Sequence, residues 1–291
     1  MKKLLNENVL GVFMMVLTAV MFAFMAMFVR LAAKTIPVGE IVFVRYTLST
    51  LFMLTIMVMG AARLHPVNHG LLIGRAVAAG LGGVFYFFAV SSITLAEAVI
   101  LKYSFPLYAV TISALVFGER TSLRVVFLLI WSFAGIFIMM NPGSFNPNIG
   151  YLWGILNAVS AGGAVAFVRK LRTTDDSWTI MFYTSVAGVV LSVPLLPMGV
   201  TVPRGIDGIY LVMAGVLGIA AQFALVYGMR FIKTGAASVV MMLEVVVAVL
   251  LGVAVFGHIP GPYQIIGGCM ILFGGTLIVT GEGRNNRKKA A

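Results

Sequence analysis

The chain has 291 residues, 61% of them hydrophobic and 10% charged, whereas soluble domains carry about 25% charged residues. That much apolar surface excludes a water-soluble globular protein and calls for a bilayer. The net charge of +11 does not indicate nucleic acid, because the basic residues lie in short runs between apolar segments and form no basic face.

A helix needs about 20 apolar residues to cross the hydrocarbon. Ten segments qualify, at roughly 9–33, 38–60, 70–92, 95–117, 122–140, 149–170, 177–198, 206–231, 235–256 and 261–281. The first follows Lys2 and Lys3 but is too long for a signal-peptide core, and similar segments follow it. Arg30 near its end is expected to snorkel to headgroups. Arg45 in span 2 is expected to snorkel or to bond a neighbouring helix, and Arg75 near the start of span 3 to snorkel. The runs Gly80-Leu81-Gly82-Gly83, Gly162-Gly163 and Gly267-Gly268 read as close helix approaches. Cys269, in the last of these, reads as a packing residue. The loop Ser91-Ser92-Ile93-Thr94 is so short that spans 3 and 4 must be antiparallel neighbours.

Span 4 carries Glu97 near its outer end, then Lys102 and Pro106. A proline inside a helix frees the carbonyl four residues earlier. Here that carbonyl belongs to Lys102, so a kink, a free acceptor and an ammonium coincide. Irregular backbone at this depth is tolerated against protein or a wet cavity. Span 8 carries Gln222. Span 9 carries Glu244 about 15 Å from its start, close to the midplane. Ionisable groups at that depth tend to face a cavity. Glu244 is therefore read as a substrate anchor or a proton-carrying carboxylate. Lys102 is read as its partner or as a second anchor. Glu97 is expected to line the outer mouth or to bond a neighbouring loop.

Ten spans place both termini on one side of the membrane. With that side cytoplasmic, 14 of the 20 basic residues fall inside and only Arg30, Lys34 and Arg204 outside. The two halves also match at a constant offset of 139 positions. Phe28-Val29-Arg30 pairs with Phe167-Val168-Arg169, Val116-Phe117-Gly118 with Val255-Phe256-Gly257, and Ala98 with Ala237. Five spans per half is an odd number, so the second half is expected upside down. Inverted repeats are an architecture of secondary transporters, with the substrate site between them. The expected fold is an all-α integral membrane bundle of ten transmembrane helices, built as two inverted five-helix repeats. The repeats cover 1–144 and 145–291, the second ending in a short basic tail.

The stretches Leu95-Ala96-Glu97-Ala98 to Phe117-Gly118-Glu119 and Gly235-Ala236-Ala237-Ser238 to Phe256-Gly257 carry a family likeness. Over roughly 9–281 the chain resembles the drug/metabolite transporter superfamily, in its EamA-type branch. The resemblance implies a central cavity lined mainly by spans 1, 3, 4, 6, 8 and 9. On that basis Tyr86, Tyr103 and Tyr227 join Glu244, Lys102, Gln222 and Glu97 as substrate-binding candidates, with Pro106 as the kink. Two positions depart from the family pattern. His258 stands where a second Glu is usual, and Val245 where a Pro often follows Leu-Glu, which would leave span 9 straighter than span 4.

The expected function is secondary transport of a small polar organic metabolite, an amino acid or a derivative, by alternating access. A proton or counter-solute would supply the drive, since the sequence has no Walker pattern. Lipid is the expected surrounding, in a plasma (bacterial cytoplasmic or inner) membrane; no cofactor, metal or nucleic acid is implied. A passive channel is the alternative. An intramembrane enzyme fits less well, because His65, His69 and His258 all fall in loops and no His-Glu-x-x-His or Gly-x-Ser-x-Gly occurs.

Overall fold

The structure, a computed structural model, describes residues 2–118, 123–140, 148–171, 175–228, 231, 237 and 240–290. Glu119, Arg120, Arg172, Arg230, Lys233 and the Gly235-Ala236 and Ser238 positions lie outside them. Among the described residues the chain is a bundle of α-helices. They are α1 (Lys2–Ala32), α2 (Val38–Val58), α3 (His69–Ser92), α4 (Leu95–Lys102), α5 (Phe105–Phe117), α6 (Leu123–Met139), α7 (Ile149–Leu171), α8 (Ser177–Ser192), α9 (Ile206–Gly228), α10 (Leu243–Phe256) and α11 (Pro262–Ala290). A short 3-10 turn, Val193–Met198, extends α8. The basic tail expected after span 10 continues α11 as helix to Ala290.

Seven helical stretches are long and apolar enough to cross a membrane, counting α4 and α5 together as one. Three shorter apolar helices, Val126–Met139, Leu243–Phe256 and Pro262–Leu277, stand where spans 5, 9 and 10 were expected. Large apolar side chains such as Phe13, Leu51, Phe127, Leu250 and Phe273 are exposed around the bundle, where lipid replaces water. Cys269 is exposed among them and does not pack inside as the sequence suggested. The protein is a multi-pass integral membrane protein.

Equivalent elements pair in equivalent ways. The most extensive contacts are α3 along α7 and α1 along α9. Under the 139-residue offset α1 corresponds to α7 and α3 to α9, so the two pairings exchange. Glycines let some helices meet backbone to backbone: a Cβ on Gly267 of α11 would stand 2.4 Å from the Gly135 carbonyl oxygen of α6.

The corresponding glycines Gly118 and Gly257 end α5 and α10 in the left-handed region, each with φ of +67°. Nothing lies within 4 Å of a Cβ built on either, so an alanine there would meet only backbone strain. Gly118→Ala and Gly257→Ala should each cost about 1–2 kcal/mol, measured by unfolding in mixed detergent. A cost near zero would mean that the turns are not held in this conformation.

Span 4 is interrupted at Tyr103 and Ser104, between α4 and α5, with Pro106 in the first turn of α5. Span 9 is interrupted too, contrary to the straighter helix expected from Val245. Met242 forms a turn between helical Met241 and α10. The Val245 amide bonds the Met242 carbonyl, one residue nearer than in an α-helix. This leaves the Met241 carbonyl to accept from the Tyr103 hydroxyl. Met241 corresponds to Lys102 under the repeat offset, and Val245 to Pro106. Both halves thus break at the same register.

Candidate functional site

The two breaks bring Lys102 and Glu244 together. Lys102 Nζ lies 2.6 Å from Oε1 and 2.8 Å from Oε2 of Glu244, and the Tyr103 hydroxyl lies 2.9 Å from Oε2. Glu244 is fully buried while the Lys102 side chain keeps 19% exposure. The ammonium also sits over three aromatic rings, Phe22 at 4.8 Å, Tyr86 at 5.1 Å and Tyr103 at 5.4 Å. Ring faces attract a cation, so the carboxylate and the rings together form a cation seat that the chain's own lysine fills.

Glu244 differs in kind from the other described buried carboxylates. Glu40 accepts from the Thr201 amide, Glu97 from the Thr94 amide and Asp175 from the Val67 amide. Such bonds fix loops and helix starts. The hydrogen bonds to Glu244 come from side chains alone, and side chains can change partner without unfolding a helix.

Lys102 lines a cavity of about 310 Å³ enclosed by α1, α2, α3, α7, α8 and α9, with Phe105 and Met241 contributing from beside the breaks. Glu244 lies behind Lys102 and is not part of the wall. The cavity follows α2 from Arg45 to Met53 and α3 from Phe87 back to Arg75, so it runs toward the end of the bundle that holds the α2–α3 connection. Tyr86 and Gln222 line it, as expected, and Tyr103 touches Glu244 from α4's end. Tyr227 does not join them: it sits half-exposed on the outer side of α9, stacked on the exposed Phe223.

Glu97 is also elsewhere. Its Oε2 accepts from the Thr94 amide and hydroxyl, completing a capping box on α4. Its Oε1 accepts from the Tyr151 hydroxyl of α7 and, at 2.8 Å, from Gln264 of α11. With all these donors satisfied, Glu97 ties three helices together and has no lone pair aimed at the cavity. The Thr-x-x-Glu spacing is itself a capping signal that the sequence carries. Arg30 does not snorkel. Its Nη1 donates to the Val90 carbonyl at 2.8 Å and to the Ile93 carbonyl, closing the C-terminal end of α3.

Arg45 and Arg75 likewise turn inward, and both line the cavity. Arg45 lies over the rings of Tyr46 at 4.6 Å and Phe87 at 5.7 Å. Arg75 donates to the Thr184 hydroxyl. Arg75 looks peripheral from its place near a span end, and Arg45 because the family resemblance puts span 2 at the periphery; the fold instead offers both a polar interior. Asn157, overlooked in the sequence, donates to the Gly82 carbonyl at 2.7 Å from the cavity wall. A lone amide mid-way along an apolar span was the available signal.

The profile of the EamA-like transporter family matches the chain twice, over residues 9–141 and 148–280. The chain belongs to the EamA-like transporter family. This is a family of transporters and not of enzymes, and among the described residues no group of three or more His, Cys, Asp or Glu could hold a metal. This EamA-like chain is 29% identical to the pseudopaline exporter CntI of Pseudomonas aeruginosa over 264 residues, covering 90% of this chain and 93% of that relative. It is 21% identical to an S-adenosylmethionine uptake transporter of Rickettsia prowazekii, over 86% of this chain and 85% of that one. A crystal structure of a protein 20% identical in sequence superposes with a TM-score of 0.60, covering 94% of this chain and 97% of that one, and shares the fold.

Proposed function

We propose that this EamA-like protein, a secondary transporter of a small molecule across a membrane, carries a small polar organic metabolite, an amino acid or a derivative, by alternating access between two inverted five-helix halves, 1–144 and 145–291. The observation that carries this reading is the Lys102–Glu244 pair, set at helix breaks of matching register beside the cavity. Broken helices at mid-membrane are where transporters of this architecture bind solute. The exchange of α3–α7 for α1–α9 under the repeat offset supports the two-fold relation.

The chemistry is a swap of ion-pair partners. A solute ammonium reaching Glu244 displaces Lys102 from the carboxylate and enters the same ring of Phe22, Tyr86 and Tyr103. The released Lys102 ammonium then meets the solute's carboxylate. On the return step a proton or a second solute takes the place of the first at Glu244. With the α2–α3 end taken as cytoplasmic, the side that the positive charge favours, the cavity leads toward the cytosol.

The test is counterflow of radiolabelled amino acids and their N-acylated or N-alkylated derivatives in proteoliposomes. Saturable counterflow is expected in wild type and a loss of about 100-fold or more in Glu244→Gln, the size of losing a charge-assisted bond or two. Counterflow of undiminished rate in Glu244→Gln would remove Glu244 from the mechanism. Ohmic current without saturation would assign the protein to the channels instead.

A further inference from the structure

The charges on the cavity wall do not balance. Lys102 is neutralised by Glu244 behind it, but Arg45 and Arg75 line the same cavity and no described residue forms an ion pair with either. The Nε–H of each is buried without a hydrogen-bond partner. A guanidinium is the side chain least able to shed its charge. An uncompensated cation enclosed in a bilayer is costly, and such groups persist where they meet a counter-charge in function. The rest of the wall offers none: Ser49, Asn157, Thr184, Ser185 and Gln222 are neutral, and no carboxylate lines it among the described residues.

We infer that Arg45 and Arg75 are two oxyanion-binding groups of the cavity, additional to the Lys102–Glu244 seat, and that the cargo carries at least two carboxylates and a net negative charge. A guanidinium fork matches a carboxylate with two parallel N–H bonds. Their side chains have donors in hand: Arg75 gives one to Thr184, and Arg45 is held by ring faces that take no donor. Arg75 lies toward the α2–α3 end of the cavity, while Arg45, over the Phe87 ring, lies near the level of Lys102, which covers the adjacent Tyr86 ring. The volume of about 310 Å³ lies at the small end of ligand sites and suits a compact solute. This inference rests on the cavity being the transport site.

The experiment is thermal unfolding of the purified protein in detergent at fixed ionic strength, with four probes: L-glutamate, citrate, L-glutamine and inorganic phosphate. Glutamate and citrate should raise the midpoint saturably, and glutamine, which lacks the second carboxylate, should need at least about tenfold more. Arg45→Gln and Arg75→Gln should each weaken glutamate and citrate by at least about tenfold, the value of a charge-assisted hydrogen bond. Should either variant fail to fold, Arg45→Lys and Arg75→Lys keep the charge and lose the fork, and should weaken the acids by about three- to tenfold. Tyr227→Phe, on the lipid side, should match wild type. Protection by phosphate alone would overturn the carboxylate assignment. Equal protection by glutamine, no protection by any probe, or full protection in the arginine variants would overturn the role of the arginines. Glu244-dependent counterflow of neutral solutes alongside any of these results would leave the carrier reading intact and remove only this inference.

Discussion

Replacing Lys102 by Met is expected to destabilise the protein by about 3–5 kcal/mol, whereas Lys102→Met combined with Glu244→Gln should recover most of the loss. Glu244 is fully buried, and its two oxygens lie 2.6 and 2.8 Å from the Lys102 ammonium. Removing the ammonium strands a carboxylate in a low-dielectric interior, which is the costly way to break a buried pair. Removing both charges leaves an amide that can still accept from the Tyr103 hydroxyl, now at 2.9 Å. Replacing both members of a buried pair with neutral groups is often nearly neutral for stability. Transport should be lost in both variants, because the swap of partners at Glu244 needs a charge on each side. Unfolding in mixed detergent gives the stability and counterflow gives the function. A Lys102→Met variant as stable as wild type would mean that Glu244 needs no counter-charge in the folded protein, and the swap would lose its basis.

The second large effect is steric. A Cβ on Gly267 would stand 2.4 Å from the Gly135 carbonyl oxygen and 2.7 Å from the Met139 amide nitrogen, both backbone atoms that cannot rotate away. Gly267→Ala should therefore cost about 1–3 kcal/mol, and Gly267→Leu should part α6 from α11 altogether. Gly252, inside α10, is the contrast. The nearest atom to a Cβ there is the His258 carbonyl oxygen at 3.9 Å. Gly252→Ala should be neutral or stabilising by up to about 1 kcal/mol, since alanine is the better helix former. Equal costs at both positions would argue that α6 and α11 do not cross at Gly135 and Gly267.

Glycine runs were legible in the sequence as places of close approach, and Gly267 meets the expectation by touching Gly135. Which helix each glycine of a run meets was not legible, because a string carries no direction around the helix: Gly267 meets Gly135 of α6, while its neighbour Gly268 meets Ile100 of α4. The same limit governs the site. Glu244 and Lys102 stood out because a charge in an apolar run is expensive wherever the run is placed. Span membership alone points Tyr227 to the cavity and Arg75 to the headgroups, yet Tyr227 is exposed on the outer side and Arg75 lines the cavity.

The sequence by itself determined the solvent, the helices and the depth of each charge. Length and hydropathy act residue by residue, and a rise of about 1.5 Å per residue converts position into depth. It also carried the repeat, since a constant offset needs no folding to be seen. Only the tertiary structure decided azimuth, the direction in which each side chain leaves its helix. Neighbours set that direction, and for the span 4 charges they come from the other half of the chain: Lys102 from Glu244, 142 residues away, and Glu97 from Gln264, 167 residues away. It also decided that span 9 breaks without a proline, because the acceptor freed at Met241 is taken by Tyr103 from the opposite repeat. A backbone group released in a membrane needs a partner, and that partner is a property of packing and not of the local sequence.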